Sequence, residues 1–137
     1  MRARVLISAL CGAWAATTFA VAETVVTPDA FERMTEGRTL AFDRNGSHYG
    51  VERYLPGREV IWEYADKTCS FGHWFAAGTH ICFVYDNAPT PQCWIFAERD
   101  GAFFARMSDL PPRDPSEIRL TGDYDGPFEC PAPNLGV

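Results

Sequence analysis

The sequence predicts an all-β domain, a small antiparallel barrel or sandwich of about seven or eight short strands with one short N-terminal helix. Three observations predict it. Strand-like runs recur about every 8–12 residues, with Gly, Pro, Asn or Asp clusters between them. Aromatic residues make up 14% of the chain, and large rings fill the limited core that a domain of this size can bury. The block from Cys69 to Trp94 alternates thiols and aromatics along two successive hairpins.

The elements follow in order. Thr27-Pro28-Asp29 opens a helix, because Thr27 can cap it, Pro28 suits its first position and Asp29 complements its positive end. Ala30, Phe31 and Met34 give it an apolar stripe, and Gly37 stops it. At about two turns it is too short to form a core, and it is expected to cover one end of a sheet. From Leu40 and Phe42 the period becomes two, and Asn45-Gly46 turns the chain into a strand from His48 to Tyr54. After Pro56-Gly57, Val60, Trp62 and Tyr64 alternate with Glu59 and Glu63, which predicts a half-buried strand with a solvated face. Cys69 to Phe75, His80 to Tyr85, Cys93 to Ala97 and Ala102 to Met107 read as further strands, with a longer loop from Asp86 to Pro91. Asp109 to Pro115 reads as an irregular crossing, Ile118-Arg119-Leu120 as a last strand, and Gly126 to Val137 as a tail.

Residues 1–22 have the form of a secretory signal. Arg2 and Arg4 precede the apolar run Val5 to Ala16, and Ala20-Val21-Ala22 offers small residues to a signal peptidase. Cys11 lacks the lipoprotein pattern, since Ser8 stands where Leu is wanted and Leu10 where a small residue is wanted. Removing 22 of 137 residues leaves 115, so residues 23–137 are expected to form a single disulfide-bonded domain without a membrane anchor. Without Arg2 and Arg4, 10 of the 12 basic residues face 18 acidic ones. No Lys/Arg cluster is present, which argues against a nucleic-acid partner.

Cys69, Cys82, Cys93 and Cys130 would remain after cleavage, an even set that allows three pairings. If Tyr85 and Gln92 flank the Asp86 to Pro91 loop, Cys93 lies opposite Val84, with Cys82 one diagonal step away on the same face. This favours Cys82–Cys93 with Cys69–Cys130, the latter tying the tail to the sheet. A one-residue slip in register would undo the inference. No two cysteines have the C-x-x-C spacing of a redox pair.

Catalytic and metal-binding patterns are weak. His48, His73 and His80 are the only imidazoles, and a turn at Ala77-Gly78-Thr79 would put His73 and His80 on opposite faces; no metal site or cofactor is expected. There is no G-x-S-x-G elbow, and Glu59 and Glu63 beside Trp62 read as a solvated strand face rather than as paired acids. Phe103-Phe104 must point to opposite faces, so one ring lies off the main core unless both faces are covered. The candidate contact loop contains Asp86, Asn87, Pro89 and Pro91.

The run Gly72-His73-Trp74, then Ile81-Cys82-Phe83-Val84-Tyr85, then Cys93-Trp94 and Asp100-Gly101 resembles a family of small exported proteobacterial β-proteins of unknown function. The likeness covers about 30 residues. It implies a signal-bearing β-domain in which Cys82 pairs with Cys93, and it carries no active site to transfer. The general build is also similar to that of exported lysozyme inhibitors, without an inhibitory loop motif. The expectation is a non-enzymatic periplasmic or secreted domain of a Gram-negative bacterium, binding an envelope protein or acting as a small inhibitor. The alternative is a lipocalin-like carrier of a small apolar ligand in the barrel. An aromatic-lined cavity would favour the carrier; a filled core and a projecting Asp86 to Pro91 loop would favour the inhibitor.

Overall fold

The computed structural model describes residues 22–132, so nearly all of the expected signal segment lies outside the described residues. Thr27 accepts a hydrogen bond from the Ala30 amide and Pro28 begins helix α1 (Pro28–Thr35), as the capping chemistry requires. A two-residue strand, β1 (Thr24–Val25), precedes it. The remaining strands are β2 (Thr39–Arg44), β3 (Ser47–Tyr54), β4 (Glu59–Tyr64), β5 (Cys69–Ala77), β6 (His80–Tyr85), β7 (Ala88–Arg99), β8 (Ala102–Met107) and β9 (Ile118–Asp123).

Each of β2 to β9 pairs antiparallel with its sequence neighbours, and β9 returns to pair with β2. The sheet therefore closes into an eight-stranded up-and-down barrel. The expected choice between barrel and sandwich is settled as a barrel. The short strand β1 lies outside the ring and pairs Thr24 with Glu98 and Val25 with Ala97 on β7. No residue pattern marked it, because two residues carry no periodicity.

Alternate residues of the strands point inward. Leu40, Phe42, Tyr54, Val60, Trp62, Trp74, Ile81, Phe83, Phe96 and Ile118 form one buried cluster. Helix α1 closes one end of the barrel through Phe31. This fully buried ring stands 4.6–6.3 Å, centroid to centroid, from Tyr54, Trp74, Phe83 and Phe96, which come from four different strands. The helix covers a barrel end as expected, and it also supplies the ring at the centre of the core.

Two patches of the outer wall are covered as well. The C-terminal segment is fastened to β5 by Cys69–Cys130, and the Glu129 amide donates to Glu63 at 2.6 Å. Glu63 is buried and Glu59 exposed, which corrects the expectation that both lie on a solvated face. Burial opposes ionisation of Glu63, but Lys67 and the tail amides outweigh it and hold the carboxyl below its usual range. On β7 and β8, Arg99 and Arg106 are buried with Glu23 and Glu117: Arg106 meets Glu23 at 2.7 Å, and Arg99 binds Glu117 through two nitrogens. Of the Phe103-Phe104 pair, Phe103 packs on the core while Phe104 lies beneath the Arg99 guanidinium, 4.1 Å from ring to Cζ. Both faces are covered there, which resolves the pair.

Candidate functional site

The barrel core is not completely filled. Between the Phe31 plug and the opposite end lies a cavity of about 250 Å³. Phe42, Tyr54, Trp62, Phe83, Phe96 and Ile118 form its buried walls, and Tyr49, Tyr64, Tyr85, Gln92 and Trp94, all partly exposed, line its approach. Glu52 also lines it, and is the one carboxyl among these residues.

Local backbone devices build this wall. Phe42 pairs with Gly50 but Asp43 pairs with His48, so Tyr49 is the extra residue of a β-bulge. A bulge re-aims a side chain, and here Tyr49 reaches the cavity despite its parity with the outward Val51. Trp62 lies across Gly50, and Tyr85 across Gly72: a Cβ on Gly50 would come within 2.7 Å of Trp62 Cη2, and one on Gly72 within 2.9 Å of the Val84 carbonyl carbon. Each glycine leaves room where a ring or a neighbouring backbone closes in.

Glu52 stands on β3 opposite Leu40 on β2 and Trp62 on β4, and only 3% of its surface is exposed. The Tyr85 hydroxyl lies 2.9 Å from both of its carboxyl oxygens. Burial pushes the Glu52 carboxyl from an ordinary 4.5 up to about 8, with the Tyr85 hydrogen bond pulling the other way. Burial, together with the nearby Glu52, raises both the Tyr54 and the Tyr85 phenols well above their ordinary range. At neutral pH the cavity thus holds a largely protonated acid against a phenol that keeps its proton. No cationic side chain lines it. Arg44 stacks on Tyr49, with Cζ 4.0 Å from the ring centroid, but is not part of the lining.

The structure joins Cys82 to Cys93 and Cys69 to Cys130. Cys93 lies directly opposite Cys82, not opposite Val84. The register differs by two residues from the one expected, so parity, and with it the pairing, survives. The reason is the turn: Asp86-Asn87 alone joins β6 to β7, with a register shift between Phe83 and Tyr85 taking up the difference. The expected loop from Asp86 to Pro91 is therefore corrected. Asp86 is tied to β5, its amide donating to the Phe71 carbonyl at 2.8 Å and its carboxylate accepting from the Phe71 amide at 3.2 Å. Pro89 and Pro91 belong to β7 but sit in a bulge, Pro89-Thr90-Pro91, that is exposed and lies between the paired residues Ala88 and Gln92. A bulge, where no ladder hydrogen bond is required of the residue, is where a strand tolerates proline.

His73 and His80 are corrected too. Ala77 pairs with His80 around the two-residue turn Gly78-Thr79, and His73 pairs with Val84, so both imidazoles share the outer face. Among the described residues no three His, Cys, Asp or Glu side chains converge on one point. Glu52 was not distinguishable in the sequence, since the run from His48 to Tyr54 alternates on neither parity cleanly. Comparison of the chain with protein-family models, curated proteins and solved structures finds no match.

Proposed function

We propose that the protein is an exported, non-enzymatic binding domain that holds one small molecule inside its barrel, in the manner of a lipocalin-like carrier. The observation that carries this reading is the aromatic-lined cavity of about 250 Å³ with a hydrogen-bonded carboxyl in its wall. A concave, ring-lined space with a small number of placed polar groups is the common form of a small-molecule site. The volume lies below the roughly 300–1,000 Å³ of pockets for drug-sized ligands, which favours a compact ligand of about one ring.

The two disulfides suggest an oxidising compartment. A periplasmic or secreted location, and kinship with the small exported proteobacterial β-proteins, are part of the same proposal. The reading as an inhibitor or envelope-protein binder ranks behind it, because Asp86 and Asn87 form a tied two-residue turn rather than a projecting wedge.

Native mass spectrometry of the exported protein, followed by solvent extraction, tests the proposal. A co-purifying small molecule is expected, and it should be lost from Gln92→Trp, which narrows the approach to the cavity. Wild-type protein without an adduct, and without binding to any compound of a small aromatic library, would overturn the carrier reading.

A further inference from the structure

Resting on the reading of the cavity as a ligand site, we infer that its ligand is a small protonated amine whose ammonium group pairs with Glu52 inside a cage of aromatic faces. Glu52 is an acid placed in the interior of a barrel, where an apolar residue or a glutamine would fit with less cost. Among the described residues its one hydrogen-bonding side chain is Tyr85, and none gives the carboxyl a cationic partner. The groups facing it from the surrounding strands carry no formal charge: the phenols of Tyr54, Tyr64 and Tyr85, and the Gln92 amide.

The cavity that holds this acid is also lined by the rings of Tyr49, Trp62, Tyr64, Tyr85 and Trp94. Trp and Tyr faces attract a cation within about 6 Å of the ring centre, and more strongly where water is excluded. An ammonium in the cavity would satisfy both features at once, by supplying the countercharge and filling the ring-lined space. A carboxylate ligand would find no cation in the lining, and a neutral ligand would leave Glu52 protonated and make no use of its charge. The small volume restricts the organic part to a single ring or a short alkyl chain.

Binding also has a proton signature. In the free protein Glu52 is mostly protonated below pH 8, so an ammonium must displace that proton to form the ion pair. Amine affinity should therefore rise about tenfold per pH unit from pH 5 towards 8, with close to one proton released per amine bound in the lower part of that range.

Calorimetric titration of the disulfide-intact protein tests this with matched phenylethyl and butyl series, each as amine, alcohol and carboxylate, in buffers of different ionisation enthalpy. The amine of at least one series should bind at least tenfold tighter than its alcohol and carboxylate. Glu52→Gln should abolish that preference and the proton release, with a near-UV circular dichroism spectrum and urea midpoint at pH 5 close to wild type showing that the variant is folded. Alcohol binding as tightly as amine, or carboxylate binding tighter, would overturn the ammonium assignment and leave the carrier reading standing. Failure of all six compounds to bind would overturn both.

Discussion

The Trp62 indole occupies the space that any side chain on Gly50 would need, and an added Cβ would lie 2.7 Å from Cη2 of the ring. Gly50 is thus part of the cavity wall without touching the cavity, since it fixes where Trp62 lies. Gly50→Ala must push the indole inward or spread β3 from β4. A loss of about 1–3 kcal/mol in urea unfolding is expected, the usual cost of overpacking. Red-edge or quenching measurements on tryptophan emission should shift with it, and an unchanged spectrum and midpoint would show that the contact is not fixed.

Glu52 makes stability depend on pH in an uncommon direction. Its folded value, about 8, lies above its ordinary 4.5, so the folded state holds the proton more tightly than the unfolded state. The associated stability is fully present below about pH 4.5 and is lost as pH rises through about 8. At roughly 1.4 kcal/mol per unit, the change across that window reaches a few kcal/mol. Urea titrations at pH 5, 7 and 9 should show wild-type stability falling with pH, and Glu52→Gln should flatten that part of the curve. A wild-type profile that rises or stays level from pH 5 to 9 would contradict the buried placement of this acid.

The disulfides should differ in weight. Cys69–Cys130 closes 61 residues and Cys82–Cys93 closes 11. The chain-entropy relation gives about 4 kcal/mol for the first and about 3 kcal/mol for the second. Paired serine substitutions should reproduce that order in denaturant midpoints. Loss of Cys69–Cys130 should also release the tail from Glu63, seen as faster amide exchange at Glu129 and in β4.

Arg99 and Arg106 hold Glu23, the residue before β1, to the barrel, and Arg99 also binds Glu117, the residue before β9. Arg99→Met leaves the carboxylates of Glu23 and Glu117, both largely shielded, sharing one arginine, and stranding a charge in such a place costs about 3 kcal/mol or more. The double variant Arg99→Met with Glu117→Leu should recover much of the loss, which a thermodynamic cycle would measure. Equal destabilisation by the single and double variants would mean that the network contributes only packing.

The meander was legible because each turn carries its own chemistry: Asn45-Gly46, Pro56-Gly57, Gly78 and Asp100-Gly101 all fall between paired strands. The Asp86 to Pro91 segment misled because prolines usually mark loops, while β7 accepts them in a bulge between Ala88 and Gln92. The site itself was hidden. Glu52 lies in a run with no clean alternation, and its burial depends on register opposite Leu40 and Trp62 and on rings delivered by β4, β6 and β7.

By itself, then, the sequence determined the antiparallel strand class, the capped helix and the oxidisable cysteine set, since these follow from local capping, turn and period-two patterns. Only the tertiary structure decided that β9 closes on β2, that Phe31 plugs one end, and that an acid without a countercharge faces an aromatic hollow. Closure, plugging and desolvation depend on contacts between segments far apart in the chain, and no local pattern of residues encodes them.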